Sequence, residues 1–142
     1  MADHWSGTGT PDDLWRLRTP PLSSEYTVYL DAAGDPGLLV CQVGSTRLTY
    51  LARAIDDLRD ELVRHGDWMP LGAADEQKEP APGTVEAWAR SAGNPVGGWY
   101  GQKKGLRGRF AMYVPPVLEA LGLVELEHNR RGNRVRALDG QA

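Results

Sequence analysis

From Leu51 onward the apolar residues fall at Leu51, Ile55, Leu58 and Leu62, a spacing that draws one stripe along a helix. Arg53, Asp56, Asp57, Arg59, Asp60 and Glu61 occupy the other faces and read as a solvated surface, and Gly66 follows as the residue suited to a left-handed helix end. Before this point the period is two. EYTVYLD alternates strand formers, AAGDPG is a turn, LLVCQVG is a nearly continuous apolar strand, and Gly44–Ser45 permits a tight turn into TRLTYL. A helix with one apolar face must bury it, and the strands before it offer the nearest surface. The switch of period therefore predicts an α+β fold that begins with an antiparallel β-meander and a helix.

Residues 1–24 are rich in Ser, Thr, Gly, Pro and Asp. A poorly ordered leader is expected there, pinned where Leu14, Trp15 and Leu17 meet apolar surface. Residues 25–142 are expected to form a single α+β domain, for which 41% hydrophobic residues suffice. DWMPLGAADEQKEPAPG (67–83) reads as an exposed loop, and Thr84 as the cap of a short helix, VEAWARSA, that ends at Gly93–Asn94–Pro95. The glycine-rich VGGWYGQKKGLRGRF follows, and its Trp99 and Tyr100 are expected to order it by packing on the core. Its glycines also permit a cradle for an anion. Pro115–Pro116 interrupts the apolar face of Arg109–Leu121, so that helix is expected to be kinked or in two parts and to end at Gly122. Val124, Leu126 and Val135 alternate within 124–128 and 134–138, which predicts a hairpin turning near Arg131–Gly132–Asn133.

Charge and motifs narrow the function. The net charge of −3 argues against a protein that coats nucleic acid indiscriminately. Residues 1–98 carry 8 Lys/Arg against 15 Asp/Glu, whereas residues 99–142 carry 8 against 4, so a polyanion would meet the C-terminal third. Cys41 lies inside LLVCQV and reads as a small buried hydrophobe. One cysteine forms no intramolecular disulfide, and a reducing cytoplasm is the expected compartment. The apolar runs fall short of the ~20 residues that span a bilayer, and the N-terminus lacks the basic-then-apolar order of a signal peptide; neither a membrane nor export is expected. There is no phosphate-binding G-x-x-x-x-G-K-[ST], and the glycines at 97, 98, 101, 105 and 108 do not make a dinucleotide fingerprint. His4, His65 and His128 lack metal-ligand spacing. Asp67, Asp75 and Glu76 read as solvated loop carboxylates, and no nucleophile elbow singles out Ser24, Ser45 or Ser91. Neither a cofactor nor a catalytic residue is expected.

VLEALGLVELEHNRRGNRVRAL resembles the C-terminal half of winged-helix domains, where a helix ends at a Leu-Gly-Leu-Val-type stop and leads into a strand, a basic tip and a returning strand. The likeness covers 109–138, with 84–93 as a preceding helix. The whole chain also resembles an uncharacterised family of small bacterial proteins of actinomycete type. The winged-helix likeness implies a recognition helix and a wing, hence a small regulatory protein binding double-stranded DNA or another polyanion. Lys103, Lys104, Arg107 and Arg109 would serve it at the start of the helix, and Arg130, Arg131, Arg134 and Arg136 on the hairpin. A helix-turn-helix joins its helices by 3–4 residues, while residues 93–108 intervene here. Two other readings stay open. One is an enzyme or small-ligand binder with a pocket of Trp68, Trp99, Tyr100, Lys103 and Arg107; the other is a module that docks a protein partner or a second copy of itself.

Overall fold

The structure is a computed structural model that describes residues 5–138. Five strands, β1 (Trp5–Ser6), β2 (Trp15–Arg18), β3 (Glu25–Asp31), β4 (Leu38–Val43) and β5 (Thr46–Leu51), form an antiparallel sheet in chain order. A ladder of cross-strand neighbours, Trp15–Val28–Cys41–Leu48, crosses four of them, and all four side chains are buried. Alternation puts them on one face, and that face is the core. Cys41 is fully buried there, and burial pushes its thiol well above the ordinary range.

The expected three-strand meander is thus a five-strand sheet, and the segment read as a leader supplies two of its strands. Trp15 and Leu17 are the anchors. The loop before them closes over the indole. Gly9 has φ +82°, and a Cβ there would lie 2.5 Å from the Trp15 ring, so only glycine fits this approach.

The helix of the leucine stripe is α1 (Ala54–His65), with Ile55, Leu58 and Leu62 buried. Leu51 is not part of it. Its backbone is held in β5 opposite Leu38, and its N–H donates to the Tyr100 carbonyl, so strand bonding outlasts the point where the helical period begins. Gly66 ends α1 at φ 76°, as its position predicted.

Three short helices follow: α2 (Val85–Arg90), α3 (Phe110–Tyr113) and α4 (Pro115–Ala120). Thr84 caps α2 by accepting from the Ala87 N–H. The proline pair divides the expected last helix in two, with Pro115 and Pro116 in the tolerant first turn of α4. The hairpin strands, β7 (Val124–Leu126) and β8 (Arg134–Ala137), join β6 (Met69–Pro70) in a second antiparallel sheet of order β6-β8-β7. Part of the expected 67–83 loop is therefore a strand. One buried cluster draws side chains from both sheets, α1 and all three short helices.

Candidate functional site

The segment 91–109 between α2 and α3 is anchored by three polar groups as well as by aromatics. Asn94 donates to the Trp88 and Gly98 carbonyls and accepts from the Val96 and Gly98 N–H groups. The Glu76 carboxylate accepts from the N–H groups of Gly105 and Arg107. Tyr100 is fully buried, stacks on Trp88 and donates its hydroxyl to Asp57 at 2.9 Å. Burial holds that phenol well above its usual pKa. The loop 74–78 faces this segment closely. A Cβ on Gly108 would lie 2.4 Å from the Glu76 nitrogen, which is backbone and cannot swing aside. Gly108→Ala is expected to lower stability by roughly 1–3 kcal/mol, the usual range for overpacking, and a thermal melt superimposing on that of wild type would refute the contact.

The same geometry decides what the first basic cluster can offer. Arg109 adopts a left-handed φ of 60° and pairs with Asp75 at 2.6 Å in a half-exposed ion pair. Arg107 lies over the Trp99 ring at 5.8 Å to the centroid, with Arg90 over the same ring at 5.0 Å. Lys103 and Lys104 are exposed.

On the hairpin, Arg134 pairs with Glu127 at 2.7 Å and Arg136 with Glu125 at 2.8 Å. Both guanidinium groups also lie over Trp68, at 5.0 and 4.6 Å from its centroid. The Arg134 guanidinium beside Glu127 holds that carboxyl below the usual range. The tip is closed by Asn133, which accepts from the Asn129 N–H and donates back to its carbonyl, and by Gly132 at φ +72°. Arg130 and Arg131 project from this fixed turn, exposed, with no ion pair or hydrogen bond among the described residues.

Arg130 and Arg131 border an open groove of about 570 Å³ whose lining includes Pro20, Pro21, Pro70 and Met112, taken together as its apolar floor. His128 fixes the wall by contacting the Pro20 carbonyl at 2.9 Å and Glu119 at 2.6 Å. The sequence gives no hint of this groove, because its lining comes from four separated stretches of chain.

Sequence-predicted residues are thus brought together in pairs. Trp99 meets Arg107, and Trp68 meets Arg134 and Arg136, whereas Tyr100 is sealed in the core. No hydrogen bond, ion pair or ring contact among the described residues joins the 103–109 cluster to the hairpin cluster. Phe110, Ala111, Tyr113, Val114, Val117 and Leu118 are buried as their apolar face predicted, and no residue of α3 or α4 is fully exposed, so both helices serve the core. Among the described residues no three His, Cys, Asp or Glu side chains are placed to hold a metal ion, and no helix is long and apolar enough to cross a membrane. His4 lies outside the described residues.

A family model for a family of unknown function matches residues 7–138, nearly the whole chain. The protein belongs to DUF6855. The match takes in both sheets from β2 onward, the 91–109 segment and the hairpin groove, so the DUF6855 unit covers every element but β1 rather than the C-terminal half alone. No curated protein and no solved structure matches this DUF6855 chain.

Proposed function

We propose that the protein is a non-catalytic nucleic-acid-binding protein whose hairpin tip contacts the phosphate backbone. The observation that carries this reading is the state of the hairpin cations. Arg134 and Arg136 are committed to carboxylates and to Trp68, while Arg130 and Arg131 stand exposed on a turn that Asn133 holds rigid. A paired cation must first give up its carboxylate to serve a new partner, whereas an unpaired arginine on a fixed turn offers its planar donor fork without that exchange. Lys103 and Lys104 supply a second exposed cationic point. The mode is that of a wing without a recognition helix, since α3 and α4 are occupied by the core. Such binding is mainly electrostatic and tolerant of sequence.

The test is a salt titration of oligonucleotide binding to the full chain. The Arg130→Ala/Arg131→Ala variant is expected to fold as wild type, to bind more weakly, and to flatten the dependence of log K on log salt by about one unit per lost phosphate contact. Unchanged binding in that variant would reject the hairpin tip as the contact, and no binding by the wild type at low salt would reject the reading altogether.

A further inference from the structure

The groove beside the tip bears on which form of nucleic acid the tip would meet. We propose that it takes single-stranded nucleic acid, one unstacked base lying on the apolar floor while Arg130 and Arg131 hold the phosphates beside it. This rests on the reading of the tip as a nucleic-acid surface and adds the strand form.

A duplex keeps its bases paired and stacked and presents mainly phosphate to a flat surface, so it gains nothing from an apolar floor beside the cations. A free base has an apolar face to bury, at roughly 25 cal/mol per Å², and stacks on arginine planes. The groove brings both requirements together: Pro20, Pro21, Pro70 and Met112 line it alongside Arg130 and Arg131, with no Asp or Glu among its described lining residues. Its volume of about 570 Å³ lies inside the roughly 300–1,000 Å³ of ligand clefts. An acidic peptide meets the same charges but a poorer wall. An extended peptide binds through backbone donors, and here Pro20, Pro21 and Pro70 have no N–H to give, while the Leu71 N–H is already donated to the Asn133 carbonyl.

Fluorescence anisotropy of the full chain would compare a labelled single strand of about twelve nucleotides, the duplex of the same sequence and a glutamate-rich peptide of similar length at one salt concentration. The single strand is expected to bind about tenfold tighter than the duplex, the scale of burying part of one base face on an apolar surface. Ala73→Gln places a neutral side chain in the groove from an exposed position. It is expected to lower single-strand affinity about fivefold and leave duplex affinity within about twofold. Pro70→Gln, also from an exposed groove position, serves the same end if Ala73→Gln does not fold. Equal affinity for single strand and duplex, with both lost in Arg130→Ala/Arg131→Ala, would overturn the strand preference and keep the nucleic-acid reading. Absence of binding to either form would overturn both. Tighter binding of the acidic peptide would overturn the strand assignment in favour of a protein partner.

Discussion

Replacing Glu86 or Arg90 with alanine is expected to cost about 3–5 kcal/mol, the range for breaking a buried pair and leaving one charge uncompensated. Glu86 is fully buried and Arg90 nearly so, and they meet at 2.9 Å. The pair ties three elements together. Glu86 accepts from the N–H groups of Phe110 and Ala111, capping α3 from outside its own sequence, while Arg90 donates to the carbonyls of Ala74, Asp75 and Lys78. Many buried ion pairs can be exchanged for apolar residues at no loss. That is not expected here, because Glu86→Met/Arg90→Met would leave the buried N–H groups of Phe110 and Ala111 without their acceptor, each worth about 1–3 kcal/mol if unsatisfied, while the Ala74 and Asp75 carbonyls keep the N–H groups of Arg109 and Lys78. Urea unfolding of the two single variants and the double variant checks this. A double variant as stable as wild type would show that the backbone groups find other partners. Burial also raises the Glu86 carboxyl above the ordinary carboxylate pKa, against the opposing pull of the Ala111 amide and Arg90. A raised folded value means that its contribution to stability is complete below the unfolded value of about 4.3 and declines as pH rises through the folded one. Wild type should therefore lose stability relative to the non-titrating Glu86→Gln from acid towards neutral pH. A relative gain by wild type with rising pH would contradict it.

Phe110→Ala is expected to lose a comparable amount, about 3–5 kcal/mol, by transfer and cavity terms together. Phe110 is buried at the first position of a four-residue helix. Its ring meets Tyr50 edge-on at 5.7 Å, Tyr100 at 5.4 Å and Trp88 at 6.1 Å. These come from β5, the glycine-rich segment and α2, so one ring fills the space where three otherwise separate parts converge. The four-residue α3 cannot sustain itself by propensity, and collapse onto the vacancy is opposed by the Tyr50 hydroxyl, which donates to the Gly108 carbonyl at 2.9 Å. Phe110→Leu, which keeps most of the volume, should lose less than half as much. Thermal and urea unfolding of the two variants tests the order. Equal losses would mean that the site is sensitive to shape rather than to the volume removed.

Local patterns foretold several elements. The leucine stripe marks α1, the alternation in EYTVYLD and TRLTYL marks β3 and β5, Thr84 caps α2, and Pro115–Pro116 divides α3 from α4. Gly132 takes the positive φ that the hairpin turn needs. Each of these is a property of a few neighbouring residues, set by backbone sterics, hydrogen-bonding groups close in sequence, or an apolar period.

Tertiary structure decided the rest, because it depends on what each side chain meets. The leader looked too polar to fold by itself, yet β2 joins the sheet since Trp15 and Leu17 find a prepared apolar face. Lys103, Lys104, Arg107, Arg109, Arg130, Arg131, Arg134 and Arg136 read alike as basic residues, but carboxylates at Asp75, Glu125 and Glu127 pair with three of them. Glu76 reaches across 29 positions to hold the Gly105 amide, and Glu86 crosses 25 to hold that of Ala111. Such contacts leave no periodic mark, because a carboxylate bound to a distant amide and one bound to water are the same letter. The sequence by itself determined which faces are apolar and where the chain turns. Only the packed chain decided which charges remain available, because that depends on long-range neighbours brought together by the burial of those faces.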